Sequence, residues 1–174
     1  MRTRALLLSA LLVMLPTAAL ADPITATKSV AMVSDPMGNL IPRAIPGAVL
    51  DYTATLANPL ANAGKTVRGI AFEDQLPANV ILRVSDLGAS GSGPVIFTNG
   101  AIVLGIGDSG LTYSFGGLSS TSDGIEFFNG TSWTYIPVPD ADGYDANVRA
   151  IRIKPVTNFK AGGSFTVRFR VKLR

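Results

Sequence analysis

Apolar and polar residues alternate along two stretches of the chain with the period of two that is typical of β-strands. In residues 49–56, every second residue from Leu50 onward is apolar or aromatic. In residues 164–174, apolar residues alternate with polar or basic ones, and a shift of one residue would bury four cations in their place. The pattern therefore predicts which face of each strand is buried. The apolar residues of the second stretch are Phe165, Val167, Phe169, Val171 and Leu173.

Turn residues between strand-like stretches extend this pattern over most of the chain, and no long stretch has a helical period. Asn99-Gly100 and Asn129-Gly130 each stand between two such stretches. Asn-Gly favours a type I′ turn, because both central residues of that turn need a positive φ. Each pair therefore predicts a β-hairpin. The predicted fold is all-β, an antiparallel β-sandwich with a longer β-hairpin insertion in the middle, at about residues 85–145.

The first 21 residues have the pattern of a secretory signal peptide. Two arginines and an apolar run precede Ala19-Leu20-Ala21, which has the small residues of a signal-peptide cleavage site. The run is well short of the roughly 20 residues that cross a bilayer as a helix. We predict a leader at residues 1–21 and a single exported domain at residues 22–174. The expected location is the periplasm, the cell surface or the extracellular space, with no transmembrane segment in the mature chain.

Charge and cysteine content narrow the range of partners. Without Arg2 and Arg4, residues 22–174 keep 13 Lys and Arg against 12 Asp and Glu, and the chain has no cysteine. Such a nearly neutral exported chain is not predicted to bind nucleic acid, and its stability must come from packing and backbone pairing. On the last strand, Arg168, Arg170 and Lys172 share one face. This face is either a solvated strand surface or a basic stripe for an anionic partner.

Short motifs near both ends of residues 22–174 follow one order. A Lys-Ser pair in the first strand precedes Pro-Gly, a Tyr-containing strand that ends in Asn, an Asp-x-Leu-Pro turn and a small-residue turn before the last strand. They are Lys28-Ser29, Pro46-Gly47, Tyr52, Asn58, Asp74-Gln75-Leu76-Pro77 and Ala161-Gly162-Gly163. This order resembles a prokaryotic surface-protein repeat, the domain of unknown function numbered eleven. The resemblance implies an immunoglobulin-like sandwich that serves as a structural or adhesive unit, and residues 85–145 depart from it.

The resemblance also raises the question of assembly, because such repeats usually occur in tandem and this chain carries one copy. A lone sandwich can assemble end to end by donating a strand to the sheet edge of its neighbour. The donor could be the N-terminal strand, with Ile24, Val30 and Met32 as interaction residues, or the C-terminal strand. We therefore predict a structural or interaction protein of the cell envelope or surface, with a strand-donating filament subunit as the specific hypothesis. Its expected partners are itself or other envelope proteins.

The alternative function is a monomeric module that binds a carbohydrate or a protein partner. Trp133 and Tyr135 fall on one face of a strand-like stretch, and Tyr113 lies elsewhere. Aromatic rings of this kind stack on sugars, and the same spacing equally suits core packing. A polysaccharide is therefore kept as a candidate partner.

Enzymatic function is not predicted. Gly107-Asp108-Ser109-Gly110 copies the nucleophile motif of trypsin-like proteases, but the chain contains no histidine that could act as the base. The same stretch spells G-x-G-x-x-G from Gly105, yet a strand-like stretch follows it where a dinucleotide site needs a helix. The only glutamates are Glu73 and Glu126, which is thin support for a glycosidase pair.

One metal site is suggested by the sequence. Asp140, Asp142 and Asp145 surround Gly143, in the style of short calcium loops whose acidic residues converge on a hard cation. Asp and Gly are also the usual residues of plain turns, which is the alternative interpretation. Calcium is thus the one cofactor considered, because the soft and imidazole ligands of zinc, copper and haem are missing apart from methionine.

Overall fold

The computed structural model describes residues 21–174 as two packed antiparallel sheets, with no α-helix in that part of the chain. Residues 1–20 of the predicted signal peptide lie outside the described residues. The prediction of an all-β sandwich is confirmed, and its immunoglobulin-like character stays a prediction. The strands are β1 (Thr25–Ser34), β2 (Val49–Ala57), β3 (Phe72–Gln75), β4 (Val80–Arg83), β5 (Val95–Asn99), β6 (Ile125–Phe128), β7 (Tyr144–Asp145), β8 (Ala150–Ile153) and β9 (Ser164–Leu173).

The larger sheet is organised around β9. Its strand order is β1-β2-β9-β4-β7, and β5 joins the same side of β9 as β4. β2 pairs with β9 along its whole length, from Val49 opposite Lys172 to Ala57 opposite Ser164. On the other side, β5 covers the first half of β9 and β4 covers its end. The smaller sheet has the order β3-β8-β6.

The core lies between the two sheets and follows the predicted alternation. Every second residue of β9 from Phe165 to Val171 is completely buried, and so are Ile151 and Ile153 of β8. The polar and basic residues of β9 lie on the opposite face and are partly exposed. The predicted register of the last strand is therefore confirmed, because burial of its apolar face leaves the cations at the surface.

The hairpin predicted at Asn99-Gly100 does not form. β5 ends at Asn99 and pairs with β9, and the Gly100 N–H donates to the Ser164 carbonyl oxygen at 2.7 Å. Gly100 is required for close approach, since a Cβ there would collide with the Gly107 carbonyl oxygen and the Ser164 hydroxyl. The tight turn of this region lies further on, between Val103 and Ile106, where Leu104 and Gly105 have φ values of 51° and 84°.

The hairpin predicted at Asn129-Gly130 is also wrong, although the chain turns there. The Asn129 side chain accepts hydrogen bonds from the N–H groups of Thr131 and Ser132, both at 2.9 Å. Gly130 has a positive φ but Asn129 does not, so the turn is not type I′. β6 pairs with β8, and the chain after the turn touches β6 at a single parallel bridge. Hydrogen bonds from the backbone to the Asn129 side chain thus hold this turn, and the strand pairing of the predicted hairpin does not form.

Candidate functional site

β1 is the most exposed strand of the described chain. Nine of its ten residues are exposed and Met32 is half-buried. It pairs with β2, and its other edge has no neighbour among residues 21–174. The smaller sheet leaves most of β1 uncovered, and Val30 is 54% exposed. A ten-residue strand that is exposed on both faces and along one edge is a template for pairing with another chain.

The hydrogen-bond pattern of the sheet shows which backbone groups of β1 face outward. Leu173 of β9 donates to the Ala48 carbonyl oxygen at 2.8 Å and accepts from the Gly47 N–H at 2.9 Å, so odd-numbered residues of β9 bond toward β2. Successive residues of an antiparallel ladder bond in opposite directions. With the observed registers, the outward N–H and C=O groups of β1 belong to Ala26, Lys28, Val30 and Met32.

The three predicted interaction residues of the N-terminal region lie together. Val30 and Met32 are opposite Tyr52 and Leu50 of β2, so their side chains lie on the core side of the sheet. Ile24 precedes β1 and packs against the edge of the core. The structure therefore brings these residues to one side of the sheet, at its open edge.

Two contacts outside the ladder hold β1 to the body of the domain. The Lys28 ammonium lies 2.7 Å from the Asp74 carboxylate of β3 and 4.4 Å from the centroid of the Tyr52 ring. Before the strand, the Asp22 N–H donates to the Asn62 side-chain oxygen at 2.6 Å, and the Asn62 amide donates to the Asp22 carbonyl oxygen at 3.0 Å. Because Asn62 is completely buried, this second contact fixes where the exposed strand begins.

A tight carboxylate-centred loop follows β1. The buried Asp35 carboxylate accepts hydrogen bonds from the N–H groups of Met37, Asn39 and Arg43 and from the Asn39 side-chain amide. These bonds, first of all that from the Asn39 side chain, lower the pKa of Asp35 to about 2. The loop they hold presents exposed apolar side chains, namely Met37, Leu40 and Ile41.

The predicted basic stripe of β9 is largely neutralised within the molecule. Asp51 of β2 lies 2.6 Å from the Arg168 guanidinium and 2.7 Å from that of Arg170. Burial raises the pKa of Asp51, but the hydrogen bonds from Arg170 and Arg168 outweigh it and hold the pKa below its ordinary value. Lys172 lies 3.1 Å from Asp142 and 4.4 Å from the centroid of the Tyr144 ring. These cations therefore already have partners, and binding of an anionic partner here stays a prediction.

The carboxylates of the predicted calcium loop are directed to separate partners. Asp140 accepts hydrogen bonds from the N–H groups of Asp142 and Tyr144. Asp142 pairs with Lys172, and Asp145 is buried, where it accepts bonds from the Tyr135 hydroxyl and two backbone N–H groups. In residues 21–174, no group of three or more potential metal ligands comes together. Calcium binding therefore stays a prediction.

Trp133 and Tyr135 of the predicted aromatic platform both line one small pocket of about 80 Å³, but their contacts differ. Trp133 stacks on Phe128 at a centroid distance of 5.1 Å, and the Arg152 guanidinium lies 3.9 Å from the Trp133 ring centroid. Tyr135 turns its hydroxyl to Asp145, at 2.8 Å. The two rings thus contact different partners, and Tyr113 stacks on Phe97 elsewhere in the fold. Sugar stacking on Trp133 stays a prediction.

The candidate catalytic carboxylates and serine are held in structural contacts. Arg152 of β8 bridges Glu73 and Glu126 on its two neighbouring strands, at 2.6 and 2.8 Å. Burial raises the pKa of Glu126, but hydrogen bonds from Lys154 and Arg152 outweigh it and lower the pKa. Ser109 is completely buried and donates its hydroxyl to the Asn99 side chain. Each of these side chains therefore has a partner within the fold.

A groove that the sequence patterns do not predict runs beside β5. It has a volume of about 430 Å³ and uses β5 from Val95 to Phe97 as its floor. One wall is the small-residue loop at 88–92, and the other wall is formed by Tyr113 and Phe115. The alternation of Leu111, Tyr113 and Phe115 was a visible signal, but their position against β5 depends on the tertiary fold.

Comparison with known proteins identifies no relative of this chain. Neither a protein-family model, nor a curated protein, nor a solved structure matches the chain. Within residues 21–174, no helix has the length and hydrophobicity that crossing a membrane requires.

Proposed function

We propose that this protein is an exported structural or interaction protein of the cell envelope or surface, and that it assembles with copies of itself through β1. The observation that carries the proposal is the exposure of β1 on both faces and along one edge. Such an edge can extend the sheet of a neighbouring molecule with main-chain hydrogen bonds. The resemblance to surface-protein repeats and the predicted leader are consistent with this role.

The position of the two terminal strands favours β1 over β9 as the assembly strand. β9 is paired on both sides, and four of its side chains are completely buried, from Phe165 to Val171. Its release would open the core. β1 has no completely buried residue, so its free edge is available without any unfolding.

A non-enzymatic role fits the same picture. Glu73 and Glu126 are tied to Arg152, and Ser109 is buried beneath its own loop. We therefore propose that the contacts of this protein, and not turnover, are its function.

The test is assembly of residues 22–174 with the free edge of β1 intact or blocked. Val30→Pro removes an outward N–H and leaves the β1–β2 ladder bonds in place, as prolines on edge strands do. Light scattering and electron microscopy should show concentration-dependent assembly of the unchanged chain and a monomer for Val30→Pro. Both samples are measured with and without calcium, which also tests the predicted calcium loop.

Val30→Thr is the matched control, because it keeps the β-branched shape and the outward N–H. It should assemble, and all three proteins should unfold within a few degrees of one another. A chain that stays monomeric at every concentration would contradict the proposal and turn attention to glycans and other envelope proteins as partners.

A further inference from the structure

The two open edges of the larger sheet are complementary. β1 bounds the sheet on one side, and β5 bounds it on the other side over the first half of β9. Within residues 21–174, the backbone of residues 95–99 makes no hydrogen bond outside its ladder with β9. We propose that the groove beside β5 is the acceptor site for β1 of a second copy of this chain. This inference rests on the proposed function and specifies the surface that receives the strand.

The directions of the strands allow this pairing. β1 and β9 run in one direction and β2 and β5 in the other, because all three ladders between them are antiparallel. A second copy that is displaced sideways along the sheet, and turned only by the twist that the intervening strands accumulate, therefore places its β1 antiparallel beside β5. The pairing is head-to-tail, so each added copy again offers a free β1 or a free β5, and the assembly remains open.

The pleat of the two edges also matches. Ile96 and Thr98 bond toward β9, so the outward backbone groups of β5 belong to Val95, Phe97 and Asn99. These three residues lie on the core side of the sheet, as do the outward residues of β1. Directly opposite residues of an antiparallel pair must share a face, and here the two sets do so.

The walls of the groove fit the two faces of β1. On the core side, Phe97, Tyr113 and Phe115 present aromatic rings to the apolar side chains of Val30 and Met32. On the outer side, the loop at 88–92 carries only small residues, among them two glycines. The outer face of β1 carries equally small side chains, namely Thr25, Thr27, Ser29 and Ala31.

A cysteine pair across the proposed contact tests it directly, because the natural chain has no cysteine. With Val30 opposite Phe97, Ser29 of one copy lies opposite Thr98 of the next, in a non-hydrogen-bonded pair. Such pairs bring the Cα atoms to about 4.5 Å, which suits a disulfide. Within one copy, β2 and β9 separate the two positions by about 14 Å, three strand spacings, which is too far for a disulfide.

The chain carrying both Ser29→Cys and Thr98→Cys should therefore oxidise to a ladder of covalent multimers that a reductant returns to monomer. Each single variant alone should stop at a dimer at most. Mixing the two single variants, with different tags, should give the mixed dimer in excess over both like dimers. Thr27→Cys and Ala31→Cys, each paired with Thr98→Cys, cover the registers two residues to either side.

The outcomes separate this inference from the proposed function. Assembly without a mixed disulfide in any of the three registers would overturn the β5 groove as the acceptor and leave assembly through β1 standing. Like dimers of the Ser29→Cys variant in excess over mixed dimers would overturn it in favour of β1–β1 pairing. Absence of any assembly by the unchanged chain would overturn the proposed function and this inference together.

Discussion

β1 and β9 are both ten-residue strands with alternating side chains, yet their surroundings are opposite. β9 has neighbours on both edges and a face that is completely buried from Phe165 to Val171. Within residues 21–174, β1 has one neighbouring strand, and nine of its ten residues are exposed. The place of a strand in the sheet order, and not its alternation, therefore decides whether it stabilises the domain or remains free to contact another molecule.

Removing a buried side chain of β9 should lower the unfolding free energy far more than removing a side chain of β1. Phe169 is completely buried and stacks on Tyr52, so Phe169→Ala should cost about 3–5 kcal/mol of unfolding free energy. Val30→Ala in β1 should change it by no more than about 0.5 kcal/mol, because the side chain is mostly exposed. Urea unfolding of both variants, followed by Trp133 fluorescence, measures the difference. Similar losses for the two variants would contradict the assignment of β1 as an uncovered edge.

An intermediate effect is expected on the outer face of β9, where Asp51 holds Arg168 and Arg170. Asp51→Asn should cost about 1–3 kcal/mol, since two partly buried guanidinium groups lose their charged acceptor. The pKa of Asp51 is lowered in the folded state, so its contribution is full above the unfolded pKa and is lost as pH falls through the folded value. The unfolding free energy of Asp51→Asn should therefore fall less steeply between pH 6 and pH 3 than that of the unchanged chain.

Asp142→Asn is the control for that measurement. Asp142 is exposed and pairs with Lys172 on the same face of the sheet, so its removal should change stability little. An equal effect of the two substitutions would show that the buried position of Asp51 is not what matters.

The smallest effect is expected at the end of β1. The pKa of Asp35 is lowered to about 2, so its bonds to the loop persist below the usual range of a carboxyl and are lost as pH falls through that value. Amide hydrogen exchange at Met37, Asn39 and Arg43 should stay slow at pH 3.5 in the unchanged chain and be fast in Asp35→Ala. Exchange in the core of β9 should be the same in both, which confines the effect to the loop. Fast exchange in the unchanged chain at pH 3.5 would contradict the prediction.

The sequence predicted those features that depend on the alternation of residues within a single strand. The alternation in residues 49–56 and 164–174 predicts β2, β9 and their buried faces, because a shift of one residue would turn polar or charged side chains toward the core. The exposure of β1 could not be predicted from the sequence, because it depends on how far the smaller sheet extends. At Asn99-Gly100 the residue types favour a turn, but Gly100 serves a close contact with Ser164 that only the tertiary fold creates.

The site shows the same limit. Val30 and Met32 could be named as interaction residues from the sequence, because they lie in a strand next to the predicted leader. The groove could not, since Phe97 and Phe115 are separated by a long loop and meet only when residues 107–115 fold back against β5. The partners of the acidic run at Asp140 to Asp145 were equally invisible in the sequence, because they include Lys172 and Tyr135 from other parts of the chain.

The sheet order also sets the symmetry of a filament built through the β5 groove. At the level of the groove the sheet is four strands wide, β1-β2-β9-β5, so each copy advances the assembly by about 19 Å, four strand spacings. Neighbouring strands are rotated by about 20–25°, which accumulates to roughly 80–100° per copy. The filament would therefore be a helix of about four copies per turn, with a continuous ribbon of strands running across its axis.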